Sequence, residues 1–304
     1  MQEKKAHHYV PQAYLKHFGF EKEKNQFFVH RLRMPEMLET DIKDTHVKNV
    51  CVQNKLYTLP GATPQERNLV EDFYSDAYEK HYDSIYKKLV DATVDDINDE
   101  NRRVIIGMVV SLFYRNPYWH DFHNKIISDM FERAFYLSKQ NGKDSFFWND
   151  EEISIKGKTV EEMKKEYNEE NRPLLVITQT QAAINLLKLR LDSDGINITK
   201  TTDGNHQYLT SDRPVNIMDP DNKQLIPMNP LNFLTLPIDS NHLLSLIPGC
   251  HPTMRYKIIR DKSENFYLML AHNIKHAQKA NNFLFGSEVG LKTFARLMQK
   301  LKNK

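Results

Sequence analysis

The segment from Val104 to Tyr114, VIIGMVVSLFY, is apolar on nearly every side of a helix. A helix of this kind belongs in the centre of a globular domain, because a helix at the surface keeps one polar face. It is predicted to end near Asn116-Pro117, since the residue before a proline disfavours helical backbone angles. Other elements of the chain must therefore cover this helix on more than one side.

Two blocks of the chain carry strand patterns. The first block, 1–60, contains QFFVHRLR (26–33) and HVKNVCVQN (46–54), which show the aromatic, β-branched or alternating character of strands. The second block, 194–260, contains GINITKTTD, HQYLTSDRPV, FLTLPIDS and HLLSLIP, which have the same character. Strands are therefore expected on both sides of the apolar helix in the sequence.

Helical patterns fill 63–192 and 264–302. The first of these helices is predicted to begin with a capping box in which Glu66 follows Thr63 by three residues. Pro173 is expected to begin a new helix after the charged segment EEMKKEYNEE. The segments NFYLMLAHNIKHAQKANNFLFG and EVGLKTFARLMQKLK are predicted to form the last two helices.

These blocks predict a single α+β domain over 1–304. In it, a mixed or antiparallel sheet built from both chain ends packs on a central helical layer. A chain of 304 residues with 40% hydrophobic residues can bury a substantial core, so we expect it to fold and not to be disordered.

Composition excludes several classes of function. The 42 basic and 40 acidic residues nearly balance, which argues against a dedicated cationic coat for nucleic acid. No apolar run approaches the ~18 residues of a membrane span, and no nucleotide-phosphate loop motif occurs. A secretory signal is not expected, because no apolar run follows the charges near residue 1. Cys51 and Cys250 form no CxxC pair, so neither a thiolate zinc site nor a disulfide framework is expected. A cytoplasmic location without a membrane partner is the natural expectation.

The N-terminal phrase HHYVPQAYLKHFG combines a polar part with a helix. From Pro11 onward it predicts a short helix that buries Tyr14, Leu15 and Phe18 and stops at Gly19. The polar part is not explained by packing. It resembles the opening of some HNH-type nucleases, although the glycine-rich turn of those enzymes is replaced here by the helix.

His7 and His8 allow two interpretations. Imidazole can ligate a metal ion or act as an acid or base near neutral pH. Neighbouring side chains of an extended segment point apart, so both histidines face one small site only if the backbone bends. In the other interpretation, one histidine caps the helix or bonds to a carbonyl and the other is solvated.

Two further places carry polar groups of interest. YLTSDRPVNI (208–217) places Asp212 at the end of a predicted strand, where it is either a rigidly held functional carboxylate or part of an ordinary Asx turn. Arg115 ends the apolar helix and needs an anionic partner. Glu71 and Glu79 are two turns apart on one predicted helix, where they either belong to a solvated face or meet Arg115 as its partners.

Taken together, these phrases resemble the uncharacterised domain-of-unknown-function family 4238 (DUF4238). The first and the fifth of the matching phrases are specific, and the resemblance covers nearly the whole chain. Two departures are Arg213, where the family tends to have Asn, and Ile238-Asp239, where it usually has Leu-Ser. The matching phrases are KKAHHYVPQAYLKHF, NKLYTL, the helix with Glu71 and Glu79, Arg115-Asn116-Pro117, LTSDRPV, the strand pair over 237–246, and AHNIKHAQKANNFLFG.

The resemblance implies a shared pocket but supplies no reaction. Because its most typical phrases are short, polar and about 200 residues apart, we expect them to line one cleft between the helical layer and the sheet. The predicted site residues are His8, Gln12, Glu79, Arg115 and Asp212.

Two functions fit such a site. One is hydrolysis of a phosphodiester or related bond by a nuclease-like toxin or antiviral-defence enzyme, with histidine as acid or base and Arg115 on the anion. A divalent metal is a possible cofactor of this enzyme, with His7, His8 and Asp212 as candidate ligands. The alternative is a binding or sensor module for a small anionic ligand or nucleotide. Nucleic acid is a possible partner, and the sequence predicts no oligomeric state.

Overall fold

The apolar helix predicted from the sequence is the centre of the molecule. In the computed structural model, which describes residues 6–148, 150–202, 204, 206–218, 228–263 and 265–302, every residue from Ile105 to Tyr114 is buried. The helices are α1 (Gln12–Leu15), α2 (Pro64–Ala77), α3 (Tyr82–Val90), α4 (Asp99–Tyr114), α5 (Tyr118–Gln140), α6 (Val160–Ser193), α7 (Phe266–Lys279) and α8 (Glu288–Lys302). The apolar helix is α4.

Fourteen strands surround these helices in the described part of the chain. They are β1 (Ala6–His8), β2 (Phe20–Glu23), β3 (Gln26–Arg33), β4 (Lys43–His46), β5 (Val52–Asn54), β6 (Ser145–Trp148), β7 (Glu151–Ser154), β8 (Gly195–Thr201), β9 (Thr210–Ser211), β10 (Asn216–Met218), β11 (Phe233–Pro237), β12 (His242–Ile247), β13 (Ile258–Ser263) and β14 (Phe283–Gly286).

Two five-stranded sheets organise most of the strands. One has the order β10-β11-β12-β8-β13 and is mixed, because β13 runs parallel to β8 while the other pairs are antiparallel. The other has the order β2-β3-β14-β9, with β4 also paired to β3, and all its pairs are antiparallel. Since β14 joins strands from the two ends of the chain, the predicted α+β fold with a sheet from both ends is confirmed.

The largest hydrophobic cluster joins α4 to its surroundings. It includes Tyr14 and Leu15 of α1, Ile85 of α3, Leu186 of α6 and Leu236 of β11, all of them 0–1% exposed. Each such side chain contributes roughly 1.5–3 kcal/mol by leaving water. α1 is short, but its buried pair ties the N-terminal phrase to this core, as predicted.

Two smaller clusters lie beside the main one. One joins α7 and α8 to the antiparallel sheet through Leu209, Leu284 and Phe294. The other fills an arm made of α5, the β6–β7 hairpin and α6, with Phe131 and Met163 among its buried residues. The arm therefore has a separate core.

Three sequence predictions of local structure are corrected. Pro173 lies inside α6 instead of beginning a helix. Burial of Met163 before it and of Val176 after it stabilises both halves as parts of one helix. The end of the predicted helix NFYLMLAHNIKHAQKANNFLFG is strand β14, whose residue Phe285 pairs in the sheet with both β3 and β9. The stretch 46–54 is divided by a 3-10 turn at Val47–Asn49.

No helix in the described ranges is long and apolar enough to span a lipid bilayer.

The α2 capping box predicted at Thr63 is present. The Thr63 hydroxyl accepts a hydrogen bond from the Glu66 amide, and the Glu66 side chain accepts one from the Thr63 amide.

Candidate functional site

Arg115 caps the C-terminal end of α4 and is buried between two segments. Its Nη1 donates to Glu79 Oε1 at 2.7 Å, and its Nη2 lies 3.9 Å from Glu71 Oε2. Both predicted carboxylate partners are therefore present, but they do not lie on one helix as predicted, because α2 ends at Ala77 and Glu79 begins a 3-10 turn. Its Nη2 also donates to the backbone carbonyl of His8 at 2.6 Å, so the guanidinium ties α4 to β1.

Aromatic rings complete the surroundings of this guanidinium. It lies 4.7 Å from the centroid of the Tyr74 ring, and the Tyr57 hydroxyl donates to the backbone carbonyl of Arg115. Burial alone would lower the pKa of Arg115, but Tyr57, Glu79 and Glu71 raise it above its usual value. Arg115 is thus permanently charged and matched by charges of the protein itself.

The two histidines of the N-terminal phrase point apart, as an extended backbone requires. His7 is buried, stacks on the Tyr57 ring at 5.5 Å, and its Nδ1 accepts from the Tyr57 amide at 2.9 Å. The half-buried His8 donates from Nε2 to the Lys48 carbonyl at 3.1 Å. Burial lowers the pKa of His8, and Arg115 lowers it further against the opposing effects of the Lys48 carbonyl and Glu79.

Asp212 is buried beneath the loop that joins α7 to β14. Its carboxylate accepts from the amides of Asn281 at 2.9 Å, Asn282 at 2.6 Å and Phe283 at 3.2 Å. Burial raises the pKa of this carboxyl group, and the three amide bonds oppose that rise. The carboxylate thereby fixes the entry into β14.

The N-terminal phrase and the LTSDRPV phrase meet in space. The Tyr14 hydroxyl bonds to Thr210 Oγ1 at 2.6 Å and donates to the Pro237 carbonyl at 2.8 Å. Asp212 is also close enough to Tyr9 to raise the pKa of the tyrosine further, beyond the effects of burial and Cys51. Two polar phrases about 200 residues apart in the sequence therefore form one region of the fold.

Within this region the predicted site residues fall into separate groups. His8, Glu79 and Arg115 are joined by their own contacts, whereas Asp212 contacts the loop before β14. Gln12 begins α1 with its side chain exposed to solvent. In the described ranges no three His, Cys, Asp or Glu side chains are arranged to hold a metal ion.

An open pocket adjoins this region on the side of Arg213. Its volume is about 170 Å³, and two cationic side chains, Arg213 and Lys279, contribute to its wall. The remaining wall combines aromatic, aliphatic and amide groups from α4, the start of α5 and β10, namely Leu112, Phe113, Asn116, Tyr118, Trp119, Val215 and Ile217.

Arg213 is held in place at the pocket wall. Its guanidinium lies 3.5 Å from the centroid of the Tyr118 ring, and its Nη1 donates to the backbone carbonyl of Lys279 at 3.1 Å. Stacking on an aromatic face is a common way of orienting an arginine that recognises an anion. These contacts use only part of the five donors that a guanidinium carries.

Lys279 ends α7 and is partly buried. Burial, Arg213 and Lys275 lower the pKa of Lys279 to about 8. Among the described residues that line the pocket, none carries a carboxylate. The pocket therefore holds two like charges that an anion would stabilise.

A buried polar cluster lies on the neighbouring part of α7. His276 Nδ1 is 3.2 Å from Ser211 Oγ, and His272 Nε2 is 3.0 Å from Thr235 Oγ1. In the described structure His276 Nε2 and His272 Nδ1 are buried without a hydrogen-bond partner. Burial lowers the pKa of both rings, that of His272 to about 3, so both are neutral near pH 7.

Sequence reasoning missed most of the pocket. It marked Arg213 only as a departure from the DUF4238 phrase, and it gave no role to Lys279, Tyr118 or Trp119. In the sequence, Lys279 is an ordinary lysine at the end of an amphipathic helix, 66 residues after Arg213. Only the fold brings the two residues together.

The family model described as "Protein of unknown function (DUF4238)" matches residues 6–288 of the 304-residue chain. No curated protein and no solved structure matches the chain.

Proposed function

The chain belongs to the DUF4238 family, whose description names no activity, and we propose that it is a binding module for a small anionic ligand. The proposed binding site is the pocket between Arg213 and Lys279. The observation that carries this proposal is the pairing of two cations in one pocket whose described wall has no carboxylate.

The electrostatics of the pocket favour an anion. Burial is the main cause of the lowered pKa of Lys279, and the neighbouring Arg213 lowers it further. Burial also lowers the pKa of Arg213, against the raising effects of Tyr118 and Asp212. An anion between them would offset this repulsion and replace the hydration that burial removes. Charge-assisted hydrogen bonds of this kind contribute about 1.5–3 kcal/mol each.

The rest of the wall favours a ligand with a flat or apolar part. Tyr118 and Trp119 lie at the start of α5, and Val215 and Ile217 face the same space. A phosphate bound to the cations would leave an attached ring against these side chains, as base-on-aromatic stacking requires. A nucleotide-like phosphate ester is therefore the ligand class that we propose.

Hydrolysis receives less support from the geometry. A catalytic carboxylate or imidazole needs a polar atom that faces the substrate. The Asp212 carboxylate instead accepts hydrogen bonds from three backbone amides, and the His8 ring donates one to the Lys48 carbonyl. The enzyme interpretation remains a prediction that the binding experiment also tests.

The experiment is calorimetric titration of AMP and of inorganic phosphate into the wild-type protein and into Lys279→Met. We expect AMP to bind the wild type and Lys279→Met to lose at least about tenfold in affinity, because roughly 1.4 kcal/mol corresponds to a factor of ten. Lys300→Met is the matched control, since Lys300 is an exposed lysine of α8 that neither lines the pocket nor affects the pKa of Lys279.

Two outcomes would contradict the binding proposal. One is the absence of binding of both anions to the folded wild type. The other is turnover of a phosphodiester such as bis(4-nitrophenyl) phosphate that Asp212→Asn abolishes and Lys279→Met leaves unchanged. The second outcome would support the hydrolase instead.

A further inference from the structure

One face of α5 exposes an unusual number of large apolar side chains. The exposed fraction of each is between 41% and 57%, and they are Phe122, Ile126, Met130, Tyr136 and Leu137. The opposite face, with Phe131 and Phe135, is buried in the core of the arm. A helix with a second apolar stripe facing water is typical of an interaction surface.

Part of the stripe follows the spacing of a helix seam, with Met130 and Leu137 to one side of it. Six exposed positions, three apolar and three polar, follow one another at steps of four and three residues, which is the heptad spacing of two helices packed side by side. The seam positions are Phe122, Ile126, Asp129, Arg133, Tyr136 and Gln140. We call this set the α5 seam.

The two central positions of the α5 seam are charged and of opposite sign. Asp129 and Arg133 are both exposed and lie on the open side of α5. The six positions are also symmetric about residue 131, so that reversing the direction of the helix maps Asp129 onto Arg133 and Ile126 onto Tyr136. A face with this symmetry complements itself.

We propose that the α5 seam binds the α5 seam of a second copy of the chain, with the two helices antiparallel about a two-fold axis near residue 131. In this arrangement Asp129 of each copy faces Arg133 of the other, and Ile126 faces Tyr136. A parallel arrangement would instead place Asp129 against Asp129 and Arg133 against Arg133. Charge therefore selects the antiparallel homodimer.

The size of the surface predicts how tightly the copies associate. The seam spans 18 residue steps, or about 27 Å of helix. One helix pair of this length is smaller than the interface of a permanent dimer, which buries about 2,000 Å² or more. The dimer is therefore reversible and dissociates on dilution.

Sedimentation equilibrium over a wide concentration range tests the seam. The wild type dimerises, and Arg133→Asp, which sets four acidic groups against one another, weakens the dimer at least tenfold. The double variant Asp129→Arg/Arg133→Asp exchanges the charges and restores the wild-type dissociation constant to within a few-fold. Because both residues are exposed, these variants keep the fold intact.

A matched control separates the seam from general surface hydrophobicity. Ile126→Glu is monomeric, whereas Leu268→Glu, at a residue of α7 that is 66% exposed, dimerises like the wild type. A wild type that stays monomeric at every concentration overturns the proposal. So does a double variant that is as weak as Arg133→Asp, because the charges would then not face each other.

Cross-linking tests the direction of the helices. In a Cys250→Ser background, Met130→Cys lies beside the two-fold axis at the flank of the seam and is joined to its counterpart by a short bismaleimide cross-linker. Gln140→Cys is separated from its counterpart by about 27 Å along the antiparallel pair and does not cross-link. Efficient cross-linking of Gln140→Cys would show a parallel pair and overturn the proposal.

Discussion

Arg115 shows how much one residue of a polar site contributes to the fold. Its guanidinium joins two carboxylates of the segment around α2 to the backbone of β1. Removing one member of a buried ion pair leaves the others uncompensated, which costs about 3–5 kcal/mol. At this position a structural role accounts for every observed contact.

We expect Arg115→Met to lower the free energy of unfolding by about 3–5 kcal/mol, because Glu79 and Glu71 lose their counterion. Urea denaturation monitored by circular dichroism measures the change. Arg103→Met is the control, since Arg103 makes an exposed pair with Asp99 whose loss costs less than about 1 kcal/mol. Equal effects of the two substitutions would contradict the structural role.

The sequence predicted part of this residue-scale picture. The contact of Arg115 with carboxylates was predictable, because a buried guanidinium needs an anion. The position of Glu79 in a 3-10 turn beyond the end of α2 was not. The pairing of Arg213 with Lys279 was not, because neither residue carries a local signal. It depends on how α7 packs beside the LTSDRPV phrase.

Among the elements, α2 and α6 show what local patterns can and cannot predict. The start of α2 was predictable because a capping box involves only residues three apart, Thr63 and Glu66. The continuity of α6 through Pro173 was not, because it depends on burial of both halves against other helices. Strand β14 could not be predicted from its own residues either, because it is paired with the distant strands β3 and β9.

Thr63→Ala should lower the free energy of unfolding by about 1 kcal/mol, because the Glu66 amide at the start of α2 loses its acceptor. Thr63→Ser retains the hydroxyl and is expected to stay near the wild type. Thermal or urea unfolding of the three proteins measures the difference. If the serine and alanine variants were equally unstable, the cap would not be the cause.

For the whole molecule, the buried histidines of α7 link stability to pH. Burial lowers the pKa of His272 to about 3 and that of His276 well below 6.5. As the pH falls, the unfolded chain takes up protons first, so the stabilisation present above pH 6.5 is lost progressively towards the lower folded-state pKa. Each histidine contributes a slope of about 1.4 kcal/mol per pH unit within that window.

We therefore expect the unfolding free energy to fall between pH 7 and pH 4 more steeply in the wild type than in His272→Gln/His276→Gln. Urea titrations at a series of pH values measure both slopes. His251→Gln, which removes an exposed histidine, should keep the wild-type slope. Parallel pH profiles of the wild type and the double variant would show that these histidines are not buried in the neutral form.

The fold class and the meeting of the two polar phrases were predictable at this largest scale, since block patterns and shared phrases extend over the whole chain. The pocket itself was not, because three separate segments form it: the α4–α5 junction, the LTSDRPV phrase and the end of α7.

The most direct test of the anion-binding proposal is the pH dependence of AMP affinity, measured by calorimetry in the wild type and in Lys279→Met. Lys279 carries its charge below its pKa of about 8, so an anion binds best below that pH. We predict that wild-type affinity declines between pH 7 and pH 9.5, and that Lys279→Met binds weakly at both pH values with little change. Equal affinity of the two proteins across this range would contradict it.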